Sequence, residues 1–519
     1  MEIDDLKQRY NDYSTEQLLE LIVSLQSKIA LLERTLFARK SERRHDDPEG
    51  MKNLFDEIES EAANESDEDS QEEEIKVGEH TRVRGKRKPL PAILPRVRRE
   101  FDLTDAEKKC PHHRIDMVRI GESKTEQLDI IPAKIQVIEN VTFSYKCPCC
   151  SKENTGDQII ESKLPAQPIP KSIAAPGLLA FIGVSKFMDA LPLYRLERQF
   201  ARIGVELSRT TMARWMIATA KLARPVWNLM LEELIASGVL CCDETPVQVL
   251  NEPNRSAEQK SCMWALLRPY GPQIIIYNYH TSRSAQAALD LLDDFAGILI
   301  CDGLKSYNAA ARKSRFTLAG CMAHIRRKFF DAEKSAKQEN ATAAKNRASK
   351  ALDLIRRLYQ IEKEVRDKSP EEILAARHEK SRPIMEDLKR WLDEEVTRVL
   401  PKSLLGKAVH YALEQWPKMQ AFLENGLVPI DNNAAERCIR PFVIGRNNWL
   451  FSATTAGAES SAVLYSLVES AKANHLDPYD YLKTIFKELP AAQTVEDFAD
   501  LMPHRIRLKH PVASYRAPH

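Results

Sequence analysis

Three acidic side chains occupy positions that could support metal-dependent chemistry. Asp243 ends the apolar run Gly-Val-Leu-Cys-Cys-Asp, Asp302 ends Gly-Ile-Leu-Ile-Cys-Asp, and Glu436 lies in Asp-Asn-Asn-Ala-Ala-Glu-Arg-Cys-Ile-Arg-Pro. A carboxylate at the end of a buried strand is costly to desolvate without a cation, and Mg²⁺ and Mn²⁺ prefer oxygen ligands. The three acids therefore predict a divalent-metal site, in which two ions would support phosphoryl transfer on nucleic acid.

The elements that position the two aspartates follow Gly238. Residue types and periodicity predict strands at 239–243, 262–267 and 273–279, a helix from near Ser284 to Leu292, and a strand at 297–302. This order allows three antiparallel strands and a right-handed crossover that returns the last strand parallel to the first. Asp243 and Asp302 would then end adjacent strands. Because side chains alternate along a strand, Glu244 points the other way and is the weaker candidate.

Glu436 has a structural alternative, since Asn433 three residues earlier could cap a helix whose capping box Glu436 closes. In the first turn of that helix, Glu436 could both cap and coordinate. Arg440, one turn further on, is expected to steady the carboxylate or to hold a phosphate. The sequence leaves both interpretations of Glu436 open, and metal ligation is preferred because it also accounts for Asp243 and Asp302.

Basic and aromatic residues flank these acids. Arg326 and Arg327, followed by Lys328, are expected to hold backbone phosphate beside the site. His324 receives no role and is expected to be a helix-surface histidine. Trp449 could stack on a splayed terminal base, although packing in the protein interior is the commoner use of tryptophan.

A helical segment precedes the strands. Between about Pro176 and Ala220 the pattern predicts helices broken by Pro192 and Gly204, with Ser208 as an N-cap. A turn glycine before a capped helix is typical of a helix-turn-helix, whose second helix would present Arg209 and Arg214 to DNA. A helical hairpin that does not touch DNA is the alternative.

Four of the ten cysteines cluster with histidines. Cys-Pro-His-His begins at Cys110, Cys-Pro-Cys-Cys begins at Cys147, and the interval between them is rich in strand-forming residues. Two ligand pairs at this spacing predict a structural zinc ribbon held by Cys110, His113, Cys147 and Cys150. His112 and Cys149 are close enough to substitute, and buried thiols without metal are the alternative.

The N-terminal region predicts oligomerisation and contact with nucleic acid. A heptad seam favours a parallel two-stranded coiled coil, through Leu18, Ile22, Leu25, Ile29, Leu32 and Leu36. An acidic linker follows, whose composition disfavours a packed core. Basic runs after it are suited to lying along phosphates, with contacts expected from Arg82, Arg84, Lys86, Arg87 and Lys88. The alternative for these runs is a solvated tail paired with the acidic linker.

Size and composition limit the class of protein. The chain has 519 residues, 43% of them hydrophobic and 29% charged, with a net charge of +1, which is typical of a globular protein of several domains joined by polar linkers. No apolar run approaches the roughly 18 residues of a membrane span, and the start of the chain lacks a signal pattern. We therefore expect a cytoplasmic, nucleoid-associated protein with no membrane partner.

Six ordered motifs resemble those of one transposase family. They are Asp-Glu-Thr-Pro-Val from Asp243, Cys-Asp-Gly from Cys301, Cys-Met-Ala-His-Ile-Arg-Arg-Lys-Phe from Cys321, the Asp431 string that contains Glu436, Leu-Phe-Ala-Arg-Lys-Ser-Glu from Leu36, and Leu-Pro-Ala-Ile-Leu-Pro-Arg from Leu90. Over nearly the whole chain the sequence resembles the DDE transposases of the insertion sequence 66 family. One departure is His113, where the family commonly has cysteine.

The resemblance implies a fold and a mechanism. It places the acidic triad Asp243, Asp302 and Glu436 on a core similar to ribonuclease H, with a helical insertion between the second aspartate and the glutamate. Two Mg²⁺ or Mn²⁺ ions would serve end cleavage and strand transfer, and a structural Zn²⁺ would hold the ribbon. The implied partners are the terminal inverted repeats of the element, target DNA, a second copy of the chain or a higher oligomer, and accessory proteins of the same element.

Together these observations predict a multidomain α+β and α/β protein. The expected units are a coiled coil (1–45), an acidic then basic linker (46–100), a zinc ribbon (101–165), a helix-turn-helix-like segment (166–235), the first part of a ribonuclease H-like core (236–325), a helical insertion (326–425), and the second part of the core with C-terminal helices (426–519). A nuclease or resolvase on the same core, acting without strand transfer, is the alternative function. A DNA-binding protein with a purely structural core is a third, disfavoured by the intact triad.

Overall fold

The structure, a computed structural model, describes residues 135–146, 159–338 and 342–508. The four predicted zinc ligands, the heptad seam, the linker and the basic runs at 82–99 lie outside these residues. In the unit that covers 37–162, strand β1 (Ser144–Lys146) pairs antiparallel with β2 (Ile159–Glu161). Residues 135–143 form no regular element, although their composition predicts strands.

Three helices precede the sheet, as the sequence predicts. They are α1 (Pro176–Phe187), α2 (Leu193–Arg202) and α3 (Arg209–Ile235). Gly204 has φ +79°, the left-handed conformation that glycine adopts at little cost, and it lies in the turn between α2 and α3. Ser208 is confirmed as the N-cap of α3, since its hydroxyl accepts the Thr211 N–H at 3.2 Å. The helix continues beyond the predicted end and contains Pro225.

The sheet is mixed and has the predicted connectivity. In chain order its elements are β3 (Val239–Asn251), β4 (Lys260–Leu267), β5 (Ile275–His280), α4 (Ala285–Leu291), β6 (Ile298–Ile300), α5 (Lys305–Ala311) and β7 (Thr317–Ala319). The spatial order is β5-β4-β3-β6-β7, in which β3, β4 and β5 are antiparallel and β6 runs parallel to β3. The antiparallel trio and the parallel returning strand are therefore confirmed.

Two features of the sheet differ from prediction. Strand β3 does not end at Asp243 but continues to Asn251, because β4 pairs with it as far as Gln248 and the short strand Ser452–Thr454 pairs with Val249 and Asn251. The short strand β7, parallel to β6, was not predicted, since three residues carry too little periodicity to be recognised.

The chain between β7 and the Glu436 helix is mostly helical. It contains α6 (Met322–Gln338), α7 (Thr342–Glu364), α8 (Pro370–Ala376), a π-helical turn (Arg377–Ser381), α9 (Arg382–Glu395) and α10 (Leu404–Met419). Two backbone hydrogen bonds tie the beginning of this segment to its end. The Gly320 N–H donates to the Lys418 carbonyl, and the Met322 N–H donates to the Ile430 carbonyl, each at 3.1 Å.

The remaining elements complete the core. They are α11 (Asn433–Trp449), β8 (Ser452–Thr454), α12 (Thr455–Ala473), α13 (Pro478–Glu488) and α14 (Val495–Asp500). Helix α12 is buried along most of its length and covers the outer edge of β5, where the Ser466 and Ser470 hydroxyls accept the Tyr277 and Ile275 N–H groups. The edge strand is thereby hydrogen-bonded and shielded from other chains. Among the residues that the structure describes, no helix combines the length and the apolar character needed to cross a membrane.

Only glycine fits at position 297, immediately before β6. A Cβ on Gly297 would lie 2.1 Å from the Gly238 carbonyl oxygen, a backbone atom that cannot turn away. We expect Gly297→Ala to destabilise the protein by about 1–3 kcal/mol through overpacking, seen as a lower midpoint of thermal unfolding. Gly457→Ala is the matched control, because a Cβ there would make only an ordinary contact, 3.5 Å from Thr454 Oγ1. Equal midpoints for the two variants would contradict this account.

Candidate active site

Asp243 lies in β3, and Asp302 follows β6, which runs parallel to β3. Cys241 and Ile300 are partners in the β3–β6 ladder, and each aspartate follows two residues later. Asp243 Oδ1 accepts the Glu244 N–H at 2.9 Å, and Asp302 Oδ1 accepts the Leu304 N–H at 3.0 Å. Within the described chain, Oδ2 of each aspartate has no hydrogen bond, so each carboxylate keeps an oxygen for a ligand. Asp302 follows the end of β6 as predicted, whereas Asp243 lies inside β3.

The charges of the neighbouring acids act on Asp243. Burial raises the pKa of Asp243 to about 7, and the negative charges of Glu244, Glu436 and Asp302 contribute further. A carboxyl group surrounded by other carboxylates resists ionisation unless a cation relieves the repulsion. The predicted acids therefore lie within electrostatic reach of Asp243, whereas the described group whose ligand atoms all lie within 4.8 Å of one another is Cys321, His324 and Glu436.

The helix that carries Glu436 is fixed to β3 near both ends. At its start, the Asn432 side-chain amide donates to the Cys242 carbonyl at 2.8 Å. Toward its end, Arg446 donates to Thr245 Oγ1 at 2.8 Å. These bonds hold α11 across the strand that carries Asp243, and Glu436 lies in the first turn of that helix.

The capping-box alternative for Glu436 is wrong. The residue at the N-cap is Asn432 rather than Asn433, and it makes no side-chain cap hydrogen bond. The side chain of Asn433 instead donates to Asp431 Oδ2 at 2.7 Å. Glu436 is thus free of a capping role, and its carboxylate faces other side chains.

Those side chains are His324 and Arg327, both on α6. His324 Nδ1 lies 3.6 Å from Glu436 Oε1, and Arg327 Nη2 lies 3.5 Å from Oε2. Arg440, expected to steady the carboxylate, is exposed and forms no ion pair with any residue that the structure describes. One helical turn separates Arg440 from Glu436, but the cation nearest the carboxylate is Arg327 on α6. Arg440 does not steady the carboxylate, and its alternative role of holding a phosphate stays a prediction.

His324 is the site residue that sequence reasoning missed. Its side chain is only 25% exposed and faces Glu436, so it is not a surface histidine. The available signal was the spacing Cys321-Met-Ala-His324, which places cysteine and histidine on one face of a helix. The Sγ of Cys321 and ligand atoms of His324 and Glu436 lie within 4.8 Å of one another.

Glu244, the weaker candidate by strand alternation, is bonded to residues outside the predicted triad. Tyr307 donates its hydroxyl proton to Glu244 Oε2 at 2.6 Å, and Arg283 forms an ion pair with Oε1. Tyr307 belongs to α5, the helix that follows Asp302. The network therefore links the strand that carries one aspartate to the helix that follows the other.

The insertion reaches the site through α10. A Cβ on Gly303 would lie 2.8 Å from the Tyr411 hydroxyl, so glycine allows α10 to approach the residue after Asp302. Burial and the Asp302 charge raise the pKa of Tyr411 to about 12. The Lys328 ammonium group lies 4.5 Å from the Tyr411 ring centroid, which is a cation–π contact.

The remaining residues predicted to contact DNA differ in exposure. Arg326, Arg327 and Lys328 are exposed on α6, and Arg209 and Arg214 are exposed at the start of α3. Trp449 instead packs against Phe442, with ring centroids 5.5 Å apart, and the Lys186 ammonium group lies 5.5 Å from its ring. Interior packing is therefore the role that the structure shows for this tryptophan.

Models of known protein families match most of the sequence. The model described as "Transposase IS66 family" matches residues 171–460, which include all three acids and every strand of the large sheet. The chain belongs to the IS66 transposase family. Further IS66 models match elsewhere: the C-terminal element at 466–504, "Transposase C of IS166 homeodomain" at 24–99, and the zinc-finger binding domain at 96–151. The zinc-finger match spans Cys110, His113, Cys147 and Cys150.

Relatives of similar length match along nearly the whole chain. "Uncharacterized protein y4jD" of Sinorhizobium fredii is 31% identical over 510 residues, covering 94% of this chain and 95% of the relative. "Uncharacterized protein y4qI" of the same organism is 31% identical over 501 residues, covering 93% and 89%. The similarity therefore extends over the N-terminal units as well as the core.

Proposed function

We propose that this IS66-family chain cleaves DNA at the ends of its element and joins those ends to target DNA, with Asp243, Asp302 and Glu436 as the catalytic and metal-binding residues. The observation that carries the proposal is the placement of three carboxylates in β3, just after β6 and in the first turn of α11, where burial and then the neighbouring negative charges raise the pKa of Asp243 to about 7. The strand order β5-β4-β3-β6-β7 supports the ribonuclease H-like core that the family resemblance implies.

The donor set fits hard divalent cations. All three ligands are carboxylates. Asp243 and Asp302 each keep an oxygen without a hydrogen bond in the described chain, and Glu436 Oε1 is buried there without a hydrogen-bond partner. Mg²⁺ or Mn²⁺ held by these residues, as a pair of ions, would activate the attacking oxygen and stabilise the leaving oxygen. The residues themselves need not form a covalent intermediate with DNA.

The surrounding side chains position DNA and the carboxylates. Arg326 and Lys328 present exposed charge on the helix that also carries His324, where they can bind backbone phosphate. Arg327 is shared between Glu436 and this exposed face, so it can hold the carboxylate or a phosphate. Asn432 and Arg446 keep Glu436 in register with Asp243 through their bonds to β3.

We further propose a structural zinc held by Cys110, His113, Cys147 and Cys150, in the region that the IS66 zinc-finger model matches. Four protein ligands at x₂ spacing leave no open coordination position, which is typical of a structural rather than a catalytic ion. Dimerisation through the heptad seam and phosphate contacts by the basic run at 82–88 complete the proposed assembly on element ends.

A strand-transfer assay tests the proposed activity. Purified full-length protein would be incubated with Mg²⁺ or Mn²⁺, a labelled element end and a target plasmid. We expect a labelled end joined to the plasmid. Metal-dependent nicking without joining would instead support a ribonuclease H-like nuclease, and tight binding without any cleavage would support a DNA-binding role.

The proposed DNA contacts make a separate prediction. We expect Arg209→Ala/Arg214→Ala to weaken binding to element ends and to reduce the salt dependence of the association constant, by about 0.9 in the log–log slope for each lost phosphate contact. Fluorescence anisotropy across a salt series would measure both. Lys487→Ala, which removes an exposed cation on α13, is the control and should change neither. An unchanged slope in the double variant would assign α3 to the alternative of a helical hairpin that does not touch DNA.

A further inference from the structure

Beside the proposed Mg²⁺ ligands lies a second, chemically different set of donors. It consists of Cys321 Sγ, an imidazole nitrogen of His324 and a carboxylate oxygen of Glu436, all within 4.8 Å of one another. Cys321 is buried, and the two other side chains are mostly covered. One thiol, one imidazole and one carboxylate are ligands for borderline ions such as Zn²⁺ rather than for Mg²⁺.

The separation between the imidazole and the carboxylate matches a tetrahedral site. Zinc binds nitrogen and oxygen at about 2.0–2.2 Å, so two ligands of a tetrahedral ion lie about 3.4 Å apart. His324 Nδ1 and Glu436 Oε1 are separated by 3.6 Å, which is near that value and long for a hydrogen bond. Both atoms are buried without a hydrogen-bond partner in the part of the chain that the structure describes.

The local fold supports this arrangement from two sides. Cys321 immediately precedes α6, so that Cys321 and His324 face the same direction one turn apart. The Asn432 N–H donates to Cys321 Sγ at 3.2 Å, which ties the sulfur to the start of the Glu436 helix. Arg327 lies near the other carboxylate oxygen, Oε2, and leaves Oε1 directed at His324.

We propose that Cys321, His324 and Glu436 form a three-ligand site for a thiophilic divalent ion such as Zn²⁺, and that this ion competes with Mg²⁺ for Glu436. Binding forms a bond from the ion to the Cys321 sulfur, and the thiol proton is released to solvent. Three protein ligands leave one coordination position open for water or DNA phosphate. Ion binding follows from the donor set alone, whereas the competition rests on the proposed function.

Cobalt substitution tests ion binding directly. Full-length protein would first receive one equivalent of Zn²⁺ to fill the zinc-finger region, and Co²⁺ would then be titrated while thiolate-to-cobalt absorption is recorded. We expect a further absorbing site in the wild type. Cys321→Ser should abolish that absorption, and His324→Gln should weaken Co²⁺ binding by about 100-fold or more, since even residues outside the ligand set affect affinity by 10- to 100-fold.

Two serine variants distinguish loss of the Cys321 ligand from other causes of a lost cobalt absorption. Serine at 321 still offers an acceptor to the Asn432 N–H, so that the start of α11 is retained. Cys438→Ser removes a thiol from the same helix as Glu436 but outside the donor set, and it should leave the cobalt absorption unchanged. If the wild type and Cys321→Ser gave the same spectrum, the proposed site would be refuted.

The competition with Mg²⁺ has its own readout. With Mg²⁺ at a fixed concentration, we expect Zn²⁺ to inhibit element-end cleavage by the wild type at least tenfold more than cleavage by Cys321→Ser. Equal inhibition of the two proteins would overturn the competition. If the wild type showed no Mg²⁺-dependent cleavage, the proposed function would fail, and the cobalt titration would still decide whether the site exists.

Discussion

Asp243→Asn, Asp302→Asn and Glu436→Gln should each reduce cleavage and strand transfer by on the order of 10³-fold or more. Each substitution keeps the shape of the side chain and removes the charge that a divalent cation requires. The three residues serve one site, so that the double variant Asp243→Asn/Asp302→Asn should be little worse than either single variant. Single-turnover assays with saturating DNA would measure the chemical step apart from binding.

Retained DNA binding distinguishes lost chemistry from lost folding. Burial and then the repulsion between acids raise the pKa of Asp243, and each neutral variant removes a charge from these surroundings, so we expect the variants to fold at least as stably as the wild type. Asp293→Asn, at an exposed position shortly before β6, is the control and should leave both rates unchanged. A triad variant that retained a tenth or more of wild-type cleavage would remove that residue from the proposed catalytic set.

Arg377→Met should cause the largest loss of stability, about 3–5 kcal/mol, because it leaves a carboxylate and two carbonyls unpaired in the interior. Arg377 is 1% exposed and donates two hydrogen bonds to Glu362, at 2.8 and 2.6 Å. It also donates to the Phe422 and Asn425 carbonyls at 2.8 and 3.0 Å. One guanidinium group therefore joins α7, the π-helical turn and the segment after α10.

Hydrogen–deuterium exchange would localise this effect. A loss of 3–5 kcal/mol corresponds to about 10²- to 4 × 10³-fold faster exchange of the protected amides in α7 and α9. Lys380→Met is the matched control, since Lys380 lies three residues away in a half-exposed pair with Glu364 and should contribute less than about 0.5 kcal/mol. If both variants exchanged at the wild-type rate, Arg377 would not be the residue that holds these helices together.

Local sequence signals predicted the parts of the fold that depend on near neighbours. Strand periodicity and the crossover rule placed Asp243 beside Asp302, and the Ser208 cap located the start of α3. Alternation along β3 predicted Glu244 to be the weaker candidate, and Tyr307 and Arg283 bond to its carboxylate. The length of β3 was not predictable in the same way, because pairing with β4 and β8 rather than its own composition extends it.

Contacts between distant segments account for what the sequence did not predict. The approach of His324 to Glu436 joins residues 112 positions apart (436 − 324), and the approach of Tyr411 to Gly303 joins residues 108 apart (411 − 303). Helical spacing predicted Arg440, on the same helix, as the partner of Glu436. In the structure His324 and Arg327 on α6 lie beside the carboxylate instead. Which side chain contacts Glu436 depends on how the helices pack against one another, and a single sequence carries no direct signal for that packing.

The two backbone bonds at the base of the insertion bear on its tolerance of changes in length. Because Gly320 bonds to Lys418 and Met322 bonds to Ile430, the chain leaves the core and returns to it at nearly the same place. Lengthening or shortening the intervening loops would then change the entropy of loop closure only slowly with their length, leaving the attachment points in position. We therefore expect changes in the length of these loops to leave the positions of Asp302 and Glu436 unaltered.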